Sequence, residues 1–205
     1  MSVRYHNFGG VIGWNLQKYF PMLSSDSYLK LQRSTRNKLQ KEYIDYFLST
    51  GEPPMPLVVN LETINRCNST CSFCTANKNA EKRPYKRMED SLFYSIIDQL
   101  AEWGYTGHLT LYGNNEPFLD TRIVEFHKYC REKLPHSFIF LSSNGLLLTV
   151  DKVKEIIPYV NQLIINNYCR DMKLHDNVRE IYEYAKSHPD EFKDVELLIQ
   201  MRYMD

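Results

Sequence analysis

The stretch Asn60-Leu-Glu-Thr-Ile-Asn-Arg-Cys67-Asn-Ser-Thr-Cys71-Ser-Phe-Cys74 places three cysteines within eight residues, spaced by three residues and then by two. It continues an apolar run at 57–62 that reads as a strand. Three thiolates in one short loop can hold three corners of a cubic iron–sulfur cluster and leave the fourth iron without a protein ligand. An iron left open can bind a reacting molecule, so this spacing points to chemistry more than to electron storage. A structural zinc site needs four ligands. The next Cys or His after Cys74 is His108, at the start of another strand candidate, so the loop itself does not complete a zinc set. Low-potential electron carriers commonly use four cysteines per cluster, and three are present here.

Outward from this loop the chain alternates. Apolar, β-branched strand candidates lie at 57–62, 108–113, 137–142, 162–166 and 195–201. After the first interval, which carries the cysteines, successive starts lie close to the roughly 30 residues that a strand, crossover helix and parallel strand occupy. Amphipathic helices fill the intervals. Asp90 is placed to cap one with Phe93, Ile96, Ile97 and Leu100 on its apolar side, and Gly104 to stop it. Asp120 is placed to cap a second, carrying Ile123, Phe126, Cys130 and Leu134. Thr149 is placed to cap a short third that Pro158 ends. Val178, Ile181, Tyr182 and Ala185 mark a fourth. Such alternation predicts an α/β fold with a parallel sheet covered by helices. In that architecture chemistry collects at the carboxyl ends of the strands, where the cysteine loop begins. Before the first strand, residues 27–48 carry Tyr28, Leu31, Thr35, Leu39, Tyr43, Tyr46 and Phe47 at helical spacing, and Gly51-Glu-Pro-Pro-Met-Pro56 breaks the pattern. The chain thus divides into an N-terminal helical extension, 1–56, and a core, 57–205.

Two further motifs follow strands. Gly113-Asn-Asn-Glu-Pro117 follows the second, and Ser142-Ser-Asn-Gly145 closes the third. The cysteine spacing with Phe73 before its last cysteine, the place of that loop after the first strand, and these two motifs together resemble the radical S-adenosylmethionine (radical SAM) superfamily. The resemblance covers roughly 57–205. It implies a partial parallel (βα) barrel, here shortened after a fifth strand where the family has six, so that a C-terminal portion or a partner chain would cover the last edge. It implies a [4Fe–4S] cluster on Cys67, Cys71 and Cys74, with S-adenosylmethionine (SAM) chelating the open iron.

The family's Gly-Gly-Glu-Pro corresponds to Gly113, Asn114, Asn115 and Glu116 before Pro117, a backbone that meets SAM's amino group. Asparagines stand here where the family usually has glycine, and Asn tolerates unusual backbone angles. Glu116 is placed to accept from an ammonium. The family's Thr-Asn-Gly corresponds to Asn144, with Gly145 permitting the turn. At the end of the fourth strand, Ile165-Asn-Asn-Tyr-Cys169 offers Asn166 or Asn167 for the ribose or carboxylate. Arg202, at the end of the fifth, could pair with a carboxylate. Cys130 reads as a small buried hydrophobe. Cys169 falls at the active end and also reads as buried.

The implied activity is reductive cleavage of SAM and hydrogen abstraction from a substrate, a peptide or protein, with sugar dehydrogenation and methyl transfer as alternatives. A flavodoxin or ferredoxin would be the electron donor. The rival reading is a truncated non-catalytic iron–sulfur or zinc module. Lys plus Arg equals Asp plus Glu, 25 each, so no net charge draws nucleic acid or an anionic membrane. No stretch approaches the ~20 apolar residues of a membrane span. Residues 1–13 hold one basic residue and no long apolar core, which does not read as an export signal. Five cysteines, three of them crowded, suit a reducing cytoplasm better than a disulfide framework.

Overall fold

The structure, a computed structural model, describes residues 25–71, 73–74 and 83–203, with side chains from residue 37. The first 24 residues of the expected extension lie outside the described residues, as does the reading of 1–13. Among the described residues, those from Leu57 onward form one compact unit, and those from Ser25 to Pro56 belong to a second.

In the second unit, helix α1 (Ser25–Thr50) covers the span where helical spacing was seen. Ile44, Phe47 and Leu48 on it are exposed. Tyr43 Oη donates to Pro54 O at 2.7 Å, so the proline-rich exit folds back on its own helix.

In the first unit, β1 (Val58–Asn60), β2 (His108–Thr110), β3 (Phe138–Ser143), β4 (Gln162–Cys169) and β5 (Glu196–Tyr203) form one sheet in sequential order, every pair parallel. Between them run α2 (Asp90–Glu102), α3 (Ile123–Lys133), α4 (Val150–Ile156) and α5 (Asp176–Ser187). Doubly wound sheets reverse their strand order partway. This one does not, and it is the order of a partial (βα) barrel.

The strands alternate with period two. Leu109, Leu111, Ile139, Leu141, Leu163, Ile165, Leu197 and Ile199 join one core with Phe93 and Ile97 of α2, Phe126 of α3, Val153 of α4 and Ile181 of α5. The helices therefore cover the odd-numbered face. Even-numbered residues turn to the concave face, where the ring of His108 lies 4.9 Å from Phe138 and that of Tyr112 lies 5.9 Å from Phe140.

Boundaries differ from expectation in instructive ways. β1 and β2 are three residues each because they share only three registered pairs, after which both chains peel away into loops. β4 extends to Cys169 because β5 pairs with it over eight residues. Thr149 caps α4 as anticipated, its side chain accepting from Lys152 N. Neither aspartate caps a helix. Glu89 stands at the N-cap of α2, and Asp90 instead meets Arg122. Asp120 ends the short 3-10 turn Pro117–Leu119, and α3 starts at Ile123. A guanidinium outcompetes a helix amide for a carboxylate because both partners are charged.

His127 on α3 is fully buried, its Nδ1 at 2.7 Å from Ile123 O and its Nε2 without a partner among the described residues. Burial pushes its pKa down from 6.5 to about 4. The folded chain keeps the imidazole neutral while the unfolded chain takes up a proton near pH 6.5. Stability is therefore full above that pH and falls as pH drops toward 4, by about 3 kcal/mol in total. Thermal melts from pH 7 to 4.5 should show this decline, and His127→Leu should flatten it. An unchanged slope in the variant would rule the histidine out.

Candidate active site

The loop leaving β1 is closed at its neck before it reaches the cysteines. Ile64 and Arg87 form an antiparallel bridge. Asn65 N donates to Lys86 O at 3.1 Å and Met88 N to Thr63 O at 2.8 Å. Arg66 Nη2 donates to Arg83 O at 2.8 Å. A second clasp comes from below. Arg122 Nη2 and Nε reach Asp120 at 2.7 and 2.9 Å, and Nη1 reaches Met88 O at 2.9 Å and the Asp90 carboxylate. Its guanidinium also lies over the Phe126 ring, 4.6 Å from the centroid. Burial would push the Asp120 carboxyl up, but Arg122 holds it below its ordinary value.

Above this neck, Cys67, Cys71 and Cys74 are free thiols. Cys74 N donates to Cys71 O at 3.0 Å, turning the third cysteine back toward the second. Burial pushes the Cys67 and Cys71 thiols up, and each also feels the neighbouring cysteine charges. All three line one cavity of about 170 Å³ together with Phe73, Gly113, Asn114, Asn115, Glu116, Asn144 and Asn166. These residues, singled out in the sequence, thus reach the same space, whereas Asn167 and Arg202 do not line it. Tyr112, Ser142, Ser143 and Tyr168 line it too. Sequence reading passed over both tyrosines, although strand alternation alone puts Tyr112, Ser142, Asn166 and Tyr168 on the concave face.

Glu116 is already bonded within the chain. It is 1 % exposed. Its Oε1 accepts from Phe118 N at 3.2 Å and Ser143 Oγ at 2.8 Å, and its Oε2 accepts from Asn144 N at 2.7 Å. Burial pushes its pKa up against the pull of these three donors. Asn144 carries the link onward: its Nδ2 donates to Asn68 Oδ1 at 2.7 Å and to Ser69 Oγ at 3.3 Å, with Cys67 Sγ at 3.8 Å. The second and third motifs are thus one polar latch on the cysteine loop. Gly145 makes the latch possible. Its φ is +79°, and a Cβ there would stand 2.8 Å from Ile165 Cγ2.

The ends of β4 and β5 sort themselves by alternation. Asn166 faces the cavity. Asn167 faces the helices, where it donates to Lys173 O at 2.9 Å and accepts from His175 N at 2.9 Å. Cys169 shares that side, with Asn167 Nδ2 at 3.3 Å from its sulfur, and is buried. Cys130 is buried in the helix layer, its thiol pushed far up by burial. The half-exposed Phe73 ring lies 5.3 Å from that of Tyr168, and both line the cavity.

Among the described residues, no three His, Cys, Asp or Glu converge closely enough to hold a single metal ion. Three thiols are one ligand fewer than a structural zinc site takes, while each can hold its own metal atom of a cluster. The remaining lining, rich in amides and hydroxyls, suits a polar nucleotide.

Fold and site together define a parallel (βα) partial barrel with a three-cysteine loop and a polar cavity at the carboxyl ends of its strands. Residues 61–194 match the family model of the Radical SAM superfamily, and the chain belongs to that superfamily, whose members use a [4Fe–4S] cluster and SAM. An S-adenosyl-L-methionine-dependent 2-deoxy-scyllo-inosamine dehydrogenase of Niallia circulans is 22% identical over 99 residues, 48% of this chain and 39% of the relative. BtrN in complex with AdoMet and 2-DOIA superposes with a TM-score of 0.59 at 18% identity, over 71% of this chain and 57% of that one. Streptococcus suis SuiB bound to S-adenosylmethionine gives 0.54 at 16% identity, over 84% and 40%. At such identities the solved structures speak for the fold alone. The matches span about two fifths of the dehydrogenase and little more than half of BtrN. Among the described residues no helix is long and apolar enough to cross a membrane.

Proposed function

We propose that this chain is the SAM-cleaving core of a radical SAM enzyme that abstracts hydrogen from a peptide or protein substrate. The observation that carries the reading is the convergence of Cys67, Cys71 and Cys74 with Gly113–Glu116, Asn144 and Asn166 on one cavity. In this reading the three cysteines hold a [4Fe–4S] cluster by three corners, and 57–205 is the catalytic core with 1–56 as its helical extension. When bound, cluster and SAM would supply the one-electron cleavage of a carbon–sulfur bond and, from it, a radical able to take hydrogen from an unactivated C–H bond.

The chain's own residues do the rest. The Gly113–Asn115 backbone offers its polar groups to the methionine amino group. Asn115 Oδ1 accepts from Gly113 N at 2.9 Å, which sets the turn, and its buried Nδ2 has no partner among the described residues. Glu116 acts as a clamp, holding Asn144 and through it the cysteine loop. Asn166 serves the ribose side. Phe73 and Tyr168 offer aromatic surface at the flank. The electron donor is a flavodoxin or ferredoxin, and the compartment is the reducing cytoplasm.

A second reading of the substrate, a hydroxyl of a small aminocyclitol, is favoured by the match to the Niallia dehydrogenase. The non-catalytic alternative is an iron–sulfur or zinc module. Anaerobic reconstitution should give about four irons per chain. Adding dithionite and SAM should release 5′-deoxyadenosine, read by liquid chromatography. Iron without that product would favour the inert module, and stoichiometric zinc without iron would favour the structural site.

A further inference from the structure

Arg202 is an exposed cation on the concave face. Among the described residues it belongs to no ion pair. It is nevertheless oriented. Its Nε donates to Asn166 Oδ1 at 2.7 Å and its Nη2 to Gln200 Oε1 at 2.5 Å. Asn166 Nδ2 in turn donates to Ser142 Oγ at 2.8 Å. A chain of hydrogen bonds thus crosses β5, β4 and β3 at the level of the cavity, with a guanidinium at its end. Nη1 has no bonded partner among the described residues, and the residue is exposed.

A purely structural role explains this poorly. β4 and β5 already pair over eight residues and need no side-chain strap. Neutral partners hold the guanidinium in place without cancelling its charge. A planar fork so held is matched to a carboxylate or phosphate, which can accept two parallel N–H bonds. A wholly neutral substrate packed on this face would bury the charge uncompensated, at a cost.

We propose that Arg202 anchors an anionic group, a carboxylate or a phosphate, carried by the substrate. The proposal rests on the enzymatic reading above for the word substrate, and the test separates the two. The reconstituted full chain is titrated calorimetrically, at low ionic strength, with malonate, with inorganic phosphate and with glycerol as the neutral control. Malonate or phosphate should bind and glycerol should not. Arg202→Gln should weaken the anion at least tenfold, and Arg202→Lys should fall between, because it keeps the charge but loses the fork. Equal affinity in wild type and Arg202→Gln, or no anion binding by wild type, overturns the proposal. If the Gln variant does not fold, the Lys variant and the wild-type titration decide alone. Saturating SAM should leave the anion affinity within about threefold. Loss of anion binding on adding SAM would assign the guanidinium to SAM's own carboxylate and also overturn the proposal. Release of 5′-deoxyadenosine is measured on the same preparation. Its absence, with Arg202-dependent anion binding intact, sinks the enzymatic reading and leaves the anion site standing.

Discussion

Cys71→Ala should lower 5′-deoxyadenosine release to the level of the cluster-free chain. Cys71 is the most buried of the three loop cysteines, and Cys74 folds back onto its carbonyl. Two thiolates cannot fix a cubic cluster in one orientation, so the substitution removes the site for SAM as well as the electron path. The loss should exceed roughly a hundredfold, since changing even the groups behind metal ligands costs about 10–100-fold. The fold should survive. Cysteine and alanine differ by one sulfur, and the strands and helices draw their core from other residues. The measurement pairs product release and iron content with a thermal melt. Retained cleavage in a variant with a normal melt would end the assignment of the cluster to this loop.

Arg122→Ala should cost about 3 kcal/mol of unfolding free energy, as expected when one member of a buried ion pair is removed. Asp120 is 3 % exposed. Without Arg122 its carboxylate would stay buried with its charge uncompensated. Met88 O would also lose its donor, at one end of the cysteine segment. A urea midpoint reads the loss of stability, and iron content after reconstitution reads the loosening of the loop. Replacing Asp120 by Asn in the same chain should recover part of the stability, because the stranded charge is then gone. A single-variant loss below about 1 kcal/mol would show that the clasp is solvated and of little weight.

Much of the fold could be read before any coordinates. Period-two apolar runs separated by amphipathic helices leave little choice but a parallel sheet, and five such runs did become five parallel strands in order. The cysteine spacing likewise pointed to its cavity, because the three thiols lie close in the chain. The limits of β1 and β2 were not legible, since they depend on how long two neighbours stay in register. The roles of Asp90 and Asp120 were misjudged for a related reason. Each sits where a helix cap belongs, and each is claimed by an arginine that sequence proximity to the helix start does not announce.

The sequence by itself therefore determined the order of elements and the loop that carries the thiols, because both are written in short-range spacing. Tertiary structure alone decided that Glu116 accepts from Phe118 N, Ser143 Oγ and Asn144 N, and that Asn166 rather than Asn167 faces inward. It also decided that Arg202, in no ion pair among the described residues, is held beside them by neutral partners. Those outcomes turn on the phase of the alternation at a strand's end. They turn as well on bonds between residues far apart in the chain, such as Asn144 to Asn68 and Arg202 to Asn166. Local periodicity carries no information about such bonds until the sheet has brought their partners together.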